Sequence, residues 1–227
     1  MTKEENTSEP FPVVLATRNA NKVKEITAIF QEVPIQFLTP EDFPGAPDVN
    51  EDGLTLEDNA RKKAYAIAHF TKRIALADDS GLEVPFLDGA PGVISARFAG
   101  AGCSYADNNR KLLNLLKGVP TEHRKARFRC VVALAVPEGA IRTVQGTLEG
   151  YITDRPRGAE GFGYDPVFLV PDLGKTLAEI TPSTKNSLSH RYKALQAIRP
   201  VLLNLRQNIL EERQRKNSPP RPPLREV

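Results

Sequence analysis

One recurring pattern constrains this chain most: a short apolar run, a polar cluster at its end, then a stretch with helical spacing. Residues 13–17 are such a run, closing on Thr17, and over 21–32 Val23, Ile26, Ile29 and Phe30 fall on one helical face. Residues 35–38 read as a second strand and 40–53 as a loop rich in Pro, Gly and acids. Thr55-Leu56-Glu57-Asp58 has the form of a capping box, and Leu56, Ala60, Ala64 and Ile67 then recur at helical spacing. Residues 74–77 form a buried-strand candidate that runs directly into Asp78-Asp79-Ser80-Gly81. Farther on, 89–102 is loop-like, 107–117 a leucine-rich helix, and 128–136 with 142–152 a hairpin around Pro137-Glu138-Gly139. A Gly-rich loop spans 155–166, a strand 167–170, and helices 187–198 and 201–210 are separated at Pro200. Interleaved helices and strands with one hairpin among them predict an α/β fold: a mixed, twisted sheet with flanking helices.

Bulk properties narrow the function classes. The 227 residues, 40% of them hydrophobic, suffice for one sizeable core or two small lobes sharing a cleft. A net charge of +3 is too close to neutral to argue for nucleic acid as a partner. The basic excess sits at the end, in Arg213, Arg215, Lys216, Arg221 and Arg225 against Glu226. Cys103 and Cys130 are the only cysteines and form no CxxC, so a reducing, cytoplasmic setting fits best. No apolar run approaches membrane-helix length, so no membrane partner is expected. The expected organisation is a disordered extension over 1–12, a catalytic domain over 13–210 and a disordered basic, Pro- and Arg-rich tail over 211–227.

Four polar clusters stand at the ends of predicted elements. Thr17-Arg18-Asn19-Ala20-Asn21-Lys22 joins the first strand to the first helix, where free backbone N–H groups and the positive dipole end suit phosphate. Its plainer reading is an ordinary helix cap with a solvated lysine. In Asp78-Asp79-Ser80, adjacent strand residues point to opposite faces, so one acid can enter a cleft while the other anchors structure. A strand-end carboxylate is also a natural ligand for magnesium, and the alternative is an acidic turn. Gly158-Ala159-Glu160-Gly161-Phe162-Gly163-Tyr164-Asp165 is not the dinucleotide fingerprint, but its glycines allow close approach of backbone and its aromatics can cover a flat ring. The alternative is a flexible loop with its aromatics tucked into the core. His190 and Arg191 lie near a helix start, the unfavourable end of the dipole for cations, a conflict that an anionic ligand would resolve; the plainer reading is a solvated helix start. Gly174-Lys175-Thr176 lacks the upstream glycine of a P-loop, and His69, His123 and His190 show no metal-ligand spacing.

Taken together, 14–22, 51–64, Ala77 to Gly81, Gly89-Ala90-Pro91-Gly92, Gly161 to Pro166 and Ser189-His190-Arg191 resemble the inosine triphosphate pyrophosphatase family, in that family's order. The resemblance implies two lobes around a central substrate cleft, a homodimer, and magnesium-dependent hydrolysis of ITP, dITP and XTP to monophosphate and pyrophosphate. It implies that Thr17, Arg18, Asn19, Ala20, Asn21 and Lys22 hold the triphosphate, and that Asp79 serves as magnesium ligand and general base. Ser80, Phe162, Gly163, Tyr164, Asp165, Lys185, His190 and Arg191 would then contact base and phosphates. Asn50 stands where the family often has a further metal acid, which leaves Glu51 as the candidate second ligand. The rivals are a pyrophosphatase for modified pyrimidine nucleotides, a nucleotide-binding module without catalysis, and a nucleic-acid binder acting through the basic tail.

Overall fold

The structure is a computed structural model, and it describes residues 10–217. The polar lead-in before residue 10 and the Pro-rich end after 217 lie outside the described residues. The chain runs β1 (Phe11–Leu15), α1 (Ala20–Ile29), β2 (Ile35–Leu38), α2 (Leu56–Thr71), β3 (Ala75–Glu83), α3 (Tyr105–Leu115), β4 (Lys125–Ala135), β5 (Ile141–Ile152), β6 (Phe168–Val170), β7 (Lys175–Thr176), α4 (Pro182–Leu188) and α5 (His190–Asn217). The seven strands form one mixed sheet in the order β2-β1-β3-β4-β5-β6-β7. β1 is parallel to β2 and to β3, and every later pairing is antiparallel. The expected α/β fold is therefore observed.

Local chemistry explains the element starts. Asn19 caps α1, its side chain accepting from the amides of Asn21 and Lys22. Full capping boxes, Thr55 with Asp58 and Ser104 with Asp107, start α2 and α3, a device that contributes about 1 kcal/mol each. Three apolar clusters pack on the sheet. Ile26, Phe30, Leu195 and Ile198 bury one face with Leu15, Leu76 and Val132. Leu56, Ala60, Ala64 and Ile67 cover the other with Val14, Ala75 and Val131. A third cluster, around Leu112, Leu116, Phe128, Phe168 and Leu177, forms the second lobe. The long hairpin of β4 and β5 spans both lobes, and the cleft lies between them.

Several boundaries differ from the sequence reading, and α4 and β7 are elements it did not contain; three of the differences have a clear physical reason. β1 begins at Phe11 and so includes Pro12, which was expected in the lead-in. β3 joins β1 only from Val14, so the proline nitrogen faces an open edge and costs no ladder bond. α5 is continuous through Pro200 and runs to Asn217, past the expected end at 210. Pro200 forfeits one helical bond, but Leu195, Ile198 and Leu202 anchor both sides of it in the core. Finally, β3 does not stop at Ala77. Its ladder with β4 continues to Glu83 against Arg127, which places Asp78, Asp79 and Ser80 inside the strand. Among the described residues no helix is long and apolar enough to cross a membrane.

Candidate active site

A cleft of about 290 Å³ opens between the lobes. It is lined by Thr17, Arg18, Asn19 and Lys22 from the β1–α1 junction and by Glu51, Asp79 and Ser80. Phe162, Gly163, Tyr164 and Asp165 of the Gly-rich loop and Lys185, His190 and Arg191 of α4 and α5 complete it. Ala20 and Asn21 form the first turn of α1 and are not among the lining residues.

Alternation along β3 sends its two acids to opposite faces. Asp78 is fully buried toward α1 and α5, where Lys22 Nζ and Arg191 Nε each lie 3.1 Å from its Oδ2. Burial alone would raise its pKa, but Lys22, Arg191 and Lys63 outweigh that and hold the carboxyl far below the ordinary range. Asp79 faces α2. Its Oδ2 accepts from Asn59 Nδ2 at 3.1 Å, its Oδ1 accepts from the Ser80 amide at 3.1 Å, and Lys63 Nζ stands 3.7 Å away. Here burial wins over Lys63 and Lys22, and the pKa is raised. Neighbouring carboxylates thus have opposite characters: one locked as an anion, the other short of positive charge.

Behind the cleft a second set of ion pairs ties three helices together. Glu25 on α1 accepts from Lys185 Nζ at 2.7 Å and from Arg191 Nη1. Lys185 also reaches Asp165 at 2.5 Å. Arg191 donates its remaining Nη2 to Ser80 Oγ at 3.3 Å. The cations at the start of α5 are therefore answered by the protein's own acids, Asp78 and Glu25, and no external anion is needed to explain Arg191. His190 is buried and stacked on Phe128 at 4.5 Å with 7° between the rings. Burial, with Arg191 and Lys185 nearby, drives its pKa well below 6.5, so it is a neutral imidazole, and its Nδ1 has no hydrogen-bond partner.

The Gly-rich loop divides its labour. Gly158 (φ +81°) and Gly161 (φ +74°) pack against the chain itself, where a Cβ would strike Ala178 and Asp165 respectively, while at Gly163 (φ +65°) a Cβ would meet open space. Tyr164 is buried and donates its hydroxyl to the Ser95 carbonyl at 2.9 Å, which anchors the loop. Phe162 is the aromatic ring left for the cleft, with Lys185 Nζ 4.8 Å and Arg191 Cζ 5.5 Å from its centroid.

The sequence profile of the Ham1 family matches residues 13–201. The chain belongs to the Ham1 family. The dITP/XTP pyrophosphatase of Desulforamulus reducens is 53% identical over 193 residues, covering 85% of this chain and 96% of that protein. The corresponding Geobacter sulfurreducens protein is 51% identical over 190 residues, with 84% and 96% covered. Among solved structures, a HAM1 protein from Coxiella burnetii superposes with a TM-score of 0.78 at 40% identity, covering 86% of this chain and 99% of its own. The nucleoside-triphosphatase / dITP/XTP pyrophosphatase of Mycobacterium abscessus gives 0.69 at 39% identity, with 83% and 98% covered. The Ham1 match ends at 201, so the last part of α5, including the exposed stretch 211–216, lies beyond it.

Sequence reasoning missed Asn59, Lys63, Glu25 and Tyr105. Asn59 and Lys63 are one helical turn apart and buried beside the apolar stripe of α2. Lys63 Nζ donates to Glu51 Oε1 at 2.5 Å and to the Asp78 carbonyl at 2.8 Å. Their signal was the presence of polar residues on the core-facing side of an otherwise alanine-rich helix. Glu25 lies one turn beyond Lys22, and only the fold could reveal its partners 160 residues and more away.

Proposed function

We propose that this chain hydrolyses purine nucleoside triphosphates carrying a wrong base, namely ITP, dITP and XTP, to the monophosphate and pyrophosphate. Such an activity clears them from the nucleotide pool before incorporation into DNA or RNA. The observation that carries the proposal is the split character of Asp78 and Asp79. A fixed anion orders the phosphate-facing lysine and arginine, while its neighbour presents a base-competent carboxylate to the cleft. The names of the relatives, dITP/XTP pyrophosphatases, agree with this chemistry.

The donor set fits magnesium. Among the described residues no three His, Cys, Asp or Glu side chains cluster as a protein cage. Asp79 and Glu51 nevertheless flank the same ammonium group, that of Lys63, and both line the cleft. Magnesium keeps most of its waters and needs only one or two carboxylates. Glu51 and Asp79 share the single ammonium group of Lys63, two carboxylates to one cation, which leaves room there for positive charge. Asp79 and Glu51 would hold the ion. Bound there, magnesium supplies charge against the phosphate oxygens and a more acidic water.

The protein's own part is positioning. Thr17, Arg18, Asn19 and Lys22 at the start of α1 receive the triphosphate, with Ala20 and Asn21 supplying the helix turn behind them. Asp79 takes the proton of the attacking water at Oδ1, and Ser80 contacts the substrate. Lys22, Lys185 and Arg191 provide positive potential for the leaving pyrophosphate. Phe162, Gly163, Tyr164 and Asp165 border the base, and Phe162 stacks on it. Neutral His190 reads the purine edge, its unpartnered Nδ1 free to take part. A donor aimed at a 6-oxo group rejects the 6-amino group of adenine. A homodimer working in the cytoplasm, with the catalytic unit expected over 13–210, completes the reading.

Turnover of ITP with magnesium in ¹⁸O-water tests it. Label is expected in the inosine monophosphate, as attack at the α-phosphorus requires. Label in pyrophosphate, or release of orthophosphate, would contradict the proposal.

A further inference from the structure

Tyr105 at the start of α3 has no assigned role, yet its side chain crosses the mouth of the cleft. Its hydroxyl oxygen accepts from Asn19 Nδ2 at 3.3 Å, and its ring lies 5.9 Å from that of Phe162 with the planes at 46°. α3 belongs to the second lobe through Leu112 and Leu116, whereas α1 packs in the first through Ile26. The tyrosine therefore spans from one lobe to the other, from the triphosphate loop to the aromatic ring proposed for the base. It lines the cleft while remaining 42% exposed. The direction of the hydrogen bond is fixed. Asn19 Oδ1 is occupied by the amides of Asn21 and Lys22, so its Nδ2 must face Tyr105 and the phenolic oxygen is the acceptor. The phenolic proton remains unspent: among the described residues the Tyr105 hydroxyl makes no further hydrogen bond.

α3 is held firmly enough to present this group. Asn109 Nδ2 donates to the Gly163 carbonyl at 3.0 Å, Asn108 Oδ1 accepts from the Ala99 amide at 2.7 Å, and the Ser104 capping box fixes the first turn. The exposed phenol is thus the projecting end of an anchored helix.

Resting on the function proposed above, we infer that Tyr105 is a further substrate-contacting residue, which donates its phenolic proton to a sugar oxygen of the bound nucleotide. A nucleotide laid from the Asn19 loop to Phe162 puts its ribose between them, beneath Tyr105. A neutral O–H donor suits a sugar hydroxyl, and the ring closes the site on its outer side. Tyr105 takes no part in the chemistry of bond cleavage, so its contribution is to binding.

The test is calorimetric titration of the full chain and of Tyr105→Phe with α,β-imido-ITP and with inorganic tripolyphosphate, together with ITP kinetics. The variant is expected to bind the imido nucleotide roughly five- to tenfold more weakly, the loss of one hydrogen bond. Its affinity for tripolyphosphate should be unchanged, KM should rise by the same factor, and kcat should hold within about twofold. Tyr105→Ala should lose more, because the ring goes too. Equal affinity of the unaltered chain and Tyr105→Phe for the imido nucleotide overturns this inference and leaves the proposed function standing. An equal loss toward tripolyphosphate overturns it as well, because the effect would then run through Asn19 and the phosphates. Failure of the unaltered chain to bind the imido nucleotide overturns both readings.

Discussion

The adjacent acids of β3 should separate stability from turnover. In Asp78→Asn the side chain keeps its size and loses its charge. Lys22 and Arg191, each 3.1 Å from Asp78 Oδ2, then lose their common counter-ion in a site where Asp78 has no solvent exposure. Breaking a buried pair from one side costs about 3–5 kcal/mol, and the asparagine oxygen recovers part of that as a neutral acceptor, which leaves about 3 kcal/mol. For a domain of this size the melting temperature should fall by roughly 6–12 °C. Asp79→Asn is the contrast. Burial raises the Asp79 pKa, so its ionised form is a burden on the fold at neutral pH, and the substitution removes that burden. The amide can still accept from Asn59 but not also from the Ser80 N–H, so the net change should be within about 1 kcal/mol. Its turnover should fall at least about 100-fold at saturating magnesium, because the proton acceptor and a metal ligand are gone. Urea unfolding, read by circular dichroism, and pyrophosphate release give the two axes. The reasoning fails if Asp79→Asn loses as much stability as Asp78→Asn, or if Asp79→Asn retains near-normal turnover.

Two other perturbations read the same architecture. His190 is neutral in the fold with its pKa far below 6.5, so below pH 6.5 the unfolded chain takes up a proton that the folded one refuses. Stability should therefore be fully present above pH 6.5 and decline below it by up to about 1.4 kcal/mol per pH unit. His190→Phe, which keeps the stack on Phe128, should flatten that decline between pH 6.5 and about 5 in urea titrations. An unchanged slope would mean that His190 is not the group responsible. Gly146 on β5 lies directly under α5, and an added Cβ would strike the His190 carbonyl and the Ala194 amide, both backbone. Gly146→Ala should destabilise by about 3 kcal/mol and lower kcat/KM by displacing His190 and Arg191, whereas a neutral result would contradict the close packing of α5 on the sheet.

How much was legible beforehand follows from which forces were local. The α1 cap, the capping box of α2 and the alternating strands are written in neighbouring residues, and they appear where the spacing put them. The Ser104 box of α3 is equally local but was missed, and that helix starts at Tyr105 rather than at 107. The segregation of Asp78 from Asp79 was also readable, since alternation along a strand is a local rule, although the strand itself proved longer. Pro200 misled because its cost is local while its compensation, the burial of Leu195, Ile198 and Leu202, is tertiary. The same holds for Arg191. At the start of a helix it looked like a cation awaiting a ligand, but its partners Asp78 and Glu25 come from distant elements. Asn59, Lys63 and Tyr105 matter through what they face, and single-sequence patterns do not carry that.

The central claim is tested most directly by steady-state pyrophosphate release from ITP, dITP, XTP, ATP and GTP, each with and without magnesium. The account predicts kcat/KM for the first three at least about 100-fold above that for ATP, as a site that pairs with a 6-oxo group would give against adenine, and no turnover once magnesium is chelated. Comparable rates on ATP, or full activity in the presence of chelator, would contradict it.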